Sequence, residues 1–259
     1  MQLFIEYGPF IVVGLLALCE LVAPGRRFPE RRRWRIKGVA YFAAYLFIAT
    51  LVPSALDSWL GRFQVFDLTH LGLGAGTLVG VLVLELVSYA WHRALHRVPF
   101  LWRWFHQMHH SAERIDVFGA FIFHPFDVVG FSVMGSVALV LLVGVSPAAA
   151  GLANVIVFAA VVLGHTNLRT PRWLGYLVQR PENHSLHHQR GLHAHNYADF
   201  SIIDAVFGTF ANPESWQGQA GFYDGASERV GEMLRGRDVS SPPAADEAPW
   251  SRPELQPGS

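Results

Sequence analysis

LGLGAGTLVGVLVLELVSYAWHRALHR, residues Leu71–Arg97, carries the reading of the fold. Leu71–Tyr89 is an apolar run whose one acid is Glu85. About 20 apolar residues suffice to cross a bilayer as a helix. The run continues into His92 and His96, which are four apart and so share a helix face. A spanning helix therefore delivers two imidazoles to a membrane surface.

Working outward, four more apolar runs appear: residues 3–23, Val39–Leu56, Phe126–Val145 and Ala148–Gly164. The last two are joined only by Ser146-Pro147, which predicts a tight helical hairpin. The first reads as an anchor helix rather than a cleaved leader, since Met1–Phe4 carry no Lys or Arg. Composition agrees: 51% of the 259 residues are hydrophobic and 15% charged, against about 25% charged in soluble domains. The expected fold is all-α, an integral membrane bundle of about four to five apolar helices with a cytoplasmic helical cap. Zero net charge gives no general basic field for nucleic acid, and a lone cysteine, Cys19, excludes disulfide scaffolds and thiolate zinc sites.

Charge sets the expected orientation. PGRRFPERRRWRIK, residues 24–37, holds seven of the twenty Lys and Arg, and positive loops stay cytoplasmic. Counted to residue 210, the segments on that side hold fifteen Lys and Arg and the opposite segments only Arg62. The histidine clusters from His92 onward fall on the positive side. Trp34, Trp59, Trp91, Trp102, Trp104 and Trp173 lie near expected boundaries, as interfacial aromatics do. Three regions are expected: 1–70 as anchor helices and basic loop, 71–214 as the histidine-bearing unit, and 215–259 as a tail, disordered after about Arg237 because SSPPAADEAPWSRPELQPGS is rich in Pro and Ser.

Thirteen histidines are many for this length. After His92 and His96 come His106, His109 and His110 in HxxHH spacing, and His184, His187 and His188 repeat it. On a helix each set shares a face. Eight imidazoles exceed the needs of one ion, so two are expected, and imidazole suits iron, zinc, copper and nickel. His70 lies about 33 Å down the same helix from His92 and is not a ligand.

The residues WHRALHR, LWRWFHQMHHS, Phe123-His124-Pro125, GHTNLRTPRWLGYL, HSLHH and HNYADFSIIDAVFGTF together resemble the fatty acid hydroxylase/sterol desaturase superfamily of integral-membrane di-iron oxygenases, over roughly residues 75–212. The resemblance implies two non-haem iron ions held by His92, His96, His106, His109, His110, His184, His187 and His188, with His165 and His124 as further ligands between the boxes. It implies hydroxylation or desaturation of a lipid (a sterol, fatty acyl or related lipid) using O2. No flavin, haem or nicotinamide motif is visible, so electrons would come from a separate reductase or a ferredoxin- or cytochrome-type carrier. The compact size favours a bacterial inner membrane.

Other residues stand near the boxes. Asn196-Tyr197-Ala198 departs from the family's NYG-like stretch at the glycine. His195 is a candidate extra ligand, while His193 reads as surface. Asp204 is a candidate to accept a hydrogen bond from an imidazole. Glu85 is seven residues before His92, and an intramembrane acid marks a functional site; Asn167 stands beside His165. Two rivals are weighed. A membrane zinc hydrolase lacks its HExxH here, since Arg-Ala-Leu-His follows His92. A metal transporter or sensor would spread ligands along a path through the bilayer rather than gather them at one surface.

Overall fold

The computed structural model describes residues 2–243. Among these residues the regular structure is all helical, with a single isolated bridge between Gln189 and Ala220 and no strand. Five helices are long and apolar enough to cross a membrane. They are α1 (Gln2–Val22), α2 (Trp34–Leu60), α3 (Gly72–Arg97), α5 (Pro125–Leu142) and α6 (Pro147–Gly164). The smaller helices are α4 (residues 99–110), α7 (Pro181–His187), α8 (Ser201–Val206) and α9 (Val230–Met233). The chain is an integral membrane protein.

Local sequence explains the boundaries. Pro125, Pro147 and Pro181 open α5, α6 and α7, where a missing N–H costs nothing and the fixed φ suits the first helical turn. Ser146 caps α6 by accepting from Ala149 N at 3.3 Å. Because the Ser146-Pro147 join is so short, α5 and α6 form the expected hairpin. Its turn lies beside the loop after α2, where Val65 N donates to Leu141 O and Leu68 N to Val143 O.

Helix α3 is the axis of the bundle, packed on α5 and α6, with α2 against α5 and α1 against α6. Apolar side chains gain little from leaving lipid, so close packing must hold these helices together. Gly76 and Gly80 meet Ala149 and Ala153 face to face. A Cβ at either glycine would lie 3.1 or 3.2 Å from the alanine methyl. Glycine at this spacing is what lets α3 and α6 approach so nearly.

The cap covers one end of the bundle. Trp34 is a cap core residue rather than an interfacial one. It is buried with Met108, Ala112, Ile122, Phe222, Met233 and Val239, and its indole N–H donates to Asp116 Oδ1 at 2.8 Å because a buried donor needs a partner. The basic loop is also docked in part. Arg26 donates to Asn167 Oδ1 and to Ser185 Oγ at 2.6 Å, and Arg31 pairs with buried Glu113. The segment after residue 215 is built into this core as far as Val239, whose N–H donates to Gln107 Oε1. Of the stretch read as disordered after Arg237, residues 244–259 lie outside the described residues.

Candidate metal centre

Four segments bring the histidines together. His92 and His96 ride the last turns of α3, and His106, His109 and His110 the end of α4. His165 ends α6, and His184, His187 and His188 come from α7 and its C-cap. Part of α4, Trp102–His106, is wound as a π-helix, a form that recurs at functional sites.

The rings sort into two adjacent nests. One holds His92, His96, His106, His110 and His187; the other holds His109, His165, His184 and His188. Within each nest the candidate donor nitrogens all lie within 4.8 Å of one another. The boxes therefore do not map one to one onto the nests. His109 and His110, adjacent in sequence, serve different nests, as do His187 and His188. Neighbours on a helix point about 100° apart, so a double histidine suits two centres lying side by side.

Several rings are fixed from behind by oxygen acceptors. His92 Nδ1 is 2.7 Å from Tyr197 O, His106 Nδ1 2.8 Å from Asp127 Oδ2, His187 Nδ1 2.7 Å from His195 O, and His165 Nδ1 2.8 Å from Val161 O. Each acceptor takes the Nδ1 proton and leaves the Nε2 lone pair facing inward, the usual way a ligating imidazole is oriented.

The inner nitrogens test whether a cation fits. His96, His110 and His187 each have a buried Nε2 with no hydrogen-bond partner. In the other nest His165 Nε2 lies 3.0 Å from His109 Nε2 and 2.9 Å from His184 Nε2, which is 3.1 Å from His188 Nε2. A neutral imidazole has one proton, and that of His165 is taken by Val161 O. Hydrogen bonds among the rings leave lone pairs facing one another, whereas a cation among them satisfies all four. Burial, reinforced by the neighbouring imidazoles, holds His109, His110, His184, His187 and His188 well below the ordinary histidine range, and burial lowers His165 to about 4. For these six rings burial thus favours the neutral form that metal ligation requires.

The remaining candidates divide. His124 joins neither nest. Its Nδ1 accepts from Phe126 N at 3.1 Å and so caps α5. His195 has an exposed ring and contributes its carbonyl instead. His193, read as surface, is half-buried, with Nδ1 3.1 Å from His110 Nδ1.

Asp204 touches no imidazole. It accepts from the backbone N–H of Tyr197 and Ala198 at 2.8 and 2.9 Å, while Glu85 accepts from those of Asp199 and Phe200 at 2.9 and 3.0 Å. The two acids hold the turn whose Tyr197 carbonyl aims His92. His193, His195 and Asn196 take left-handed backbone with φ of 44°, 67° and 52°, a conformation that costs non-glycine residues about 1–2 kcal/mol each. Ala198, at the family's glycine position, is outside that region. Asn167 locks the basic loop to the end of α6 and does not reach a nest.

Asp127, the one carboxylate that meets a box histidine among the described residues, was missed in the sequence. The available signal was an acid in the first turn of an apolar helix, three residues after His124.

The fold and the site define a class: a helical membrane protein with two adjoining all-imidazole nests beneath a cap at one end of its bundle. Residues 77–209 match the family described as fatty acid hydroxylase, and the chain belongs to that family. It is similar to the ornithine lipid hydroxylase OlsE of Rhizobium tropici, with 32% identity over 179 residues, 64% of this chain and 50% of that protein. The very-long-chain aldehyde decarbonylase GL1-9 of Oryza sativa subsp. indica is 29% identical over 140 residues, 51% of this chain and 53% of the relative. Sphinganine C4-monooxygenase 1 of Arabidopsis thaliana is 26% identical over 171 residues, 64% and 65% of the two chains. The chain thus spans about half the length of the first two. No solved structure matches it.

Proposed function

We propose that the chain is a di-iron lipid hydroxylase. One iron would be held by His92, His96, His106, His110 and His187, the other by His109, His165, His184 and His188. The observation that carries this reading is the pair of adjoining nests, built from nitrogen donors alone, with orphaned Nε2 atoms inside and Nδ1 acceptors outside. When bound, the iron pair would activate O2, with electrons from a separate carrier, to oxidise an unactivated C–H bond.

The protein's own contribution is orientation and exclusion of water. Tyr197 O, Asp127, His195 O and Val161 O fix the ring tautomers. The cap buries eight of the nine rings to 9% exposure or less, His96 being half-buried. The membrane setting suits a substrate with an acyl chain, and the hydroxylases among the relatives support hydroxylation over desaturation. The basic loop supports a cytoplasmic site. Nine imidazoles in two nests exceed a structural zinc site, which closes with four ligands.

The test is metal analysis of the full chain purified in detergent, followed by O2 consumption with a chemical reductant and a lipid panel read by mass spectrometry. About two irons per chain, O2 uptake and a product heavier by one oxygen atom are expected. Stoichiometric zinc, with no O2 uptake after iron reconstitution, overturns the reading.

A further inference from the structure

Helix α8 and the turn before α7 carry apolar side chains that are left exposed among the described residues. Val206 is 72% exposed and Ile202 57%, with Leu177 and Trp173 at 61% and 63%. Their depth is fixed by bonds to the bundle. Glu85, on α3, accepts from the two amides that precede α8. Glu85 is seven residues below His92, or about 10 Å along the helix. Phe200, just before α8, is also packed against the apolar core of the bundle, the cluster that includes Leu84 and Val157.

The side on which α8 sits is fixed too. Tyr89 stacks on Phe207 with ring centroids 4.8 Å apart. Leu78, Leu82 and Leu86 precede Glu85 or Tyr89 by three or seven residues and so share their face of α3. All three leucines are exposed on a helix that crosses the bilayer. The bare side chains of α8 therefore lie beside this exposed leucine stripe, about 10 Å below the level of His92. A surface this apolar facing water would be an aggregation liability.

We propose that the bare face of α8, with Leu177 bonded beside it through Ser201 N, is immersed in the leaflet, covered by phospholipid acyl chains, and forms the wall between the membrane and the five-histidine nest. Behind that wall Tyr89, Tyr197, Ala198 and Ile203 form a small apolar core, and the Tyr197 ring lies 5.6 Å from His92. The assignment rests on packing and exposure, and it stands whatever metal the nests hold.

The experiment attaches an environment-sensitive fluorophore to Val206→Cys, and separately to Ile202→Cys, in a full-length Cys19→Ser background reconstituted into phosphatidylcholine vesicles. Leu82→Cys serves as the lipid reference and exposed Glu30→Cys as the aqueous one. Both test side chains are exposed at the surface of the chain, so their replacement leaves no cavity and folding is retained. Brominated phosphatidylcholine is expected to quench both labels to the level of the Leu82 label, and iodide to leave them as shielded as that label. Quenching by iodide to the Glu30 level, without quenching by brominated lipid, overturns the proposal. Shielding from both quenchers overturns it as well, since the face would then be covered by a second protein copy.

Discussion

Replacing Asp127 with alanine removes the only carboxylate that, among the described residues, meets a ring of either nest. The His106 Nδ1 to Asp127 Oδ2 contact is 2.8 Å, and the two side chains are 2% and 0% exposed. A hydrogen bond to a charged group contributes about 1.5–3 kcal/mol. At about 1.4 kcal/mol per decade this is ~10- to ~100-fold in affinity, the range seen when the partner of a metal-bound histidine is removed. His106 belongs to the five-histidine nest, so one site should weaken and the other should not. The assay is iron titration of the metal-stripped full chain in detergent, with Asp67→Ala as an exposed-acid control. Two sites of unchanged affinity in Asp127→Ala would refute the claim that this carboxylate orients a ligand. A wild-type chain that binds no iron would instead refute the di-iron proposal itself.

His109→Ala and His110→Ala should deplete different irons, and so should His187→Ala and His188→Ala; indistinguishable spectra of the residual iron within either pair would contradict the division into nests. His124→Ala should keep both irons and lose about 1 kcal/mol of stability as a helix cap, and a lost iron would return it to the ligands. His195→Ala should likewise retain iron, because only its carbonyl meets His187. Glu85→Ala leaves two buried N–H groups without an acceptor, at about 1–3 kcal/mol each, and should lower the unfolding midpoint in detergent; an unchanged midpoint would remove Glu85 as the anchor of α8. Gly80→Leu should separate α3 from α6 and cost about 1–3 kcal/mol, read by the same unfolding measurement.

The apolar runs, the hairpin at Ser146-Pro147 and the gathering of histidines at one end of the bundle were legible in the sequence. They depend on local quantities: run length against bilayer thickness, a join too short for anything but a turn, and imidazoles at the ends of spans. The box histidines were legible for the same reason, since i, i+3 and i+4 spacing fixes a helix face before any packing occurs. Which nest each ring serves was not, because His109 and His110 diverge by an angle whose meaning depends on what stands opposite.

Asp127 and His106 are 21 residues apart, and the Tyr197 carbonyl is 105 residues from His92. No spacing rule links such pairs. Asp204, read as a partner of an imidazole, and Glu85, read as a functional intramembrane acid, both bind backbone amides of one turn instead, because buried N–H groups demand acceptors and these carboxylates are the ones in reach. The burial of Trp34, the contact of His193 with His110 and the apolar face of α8 at the depth of Glu85 are likewise decided only by tertiary structure. Each depends on which distant surface packs nearby, and composition along the chain carries no record of that.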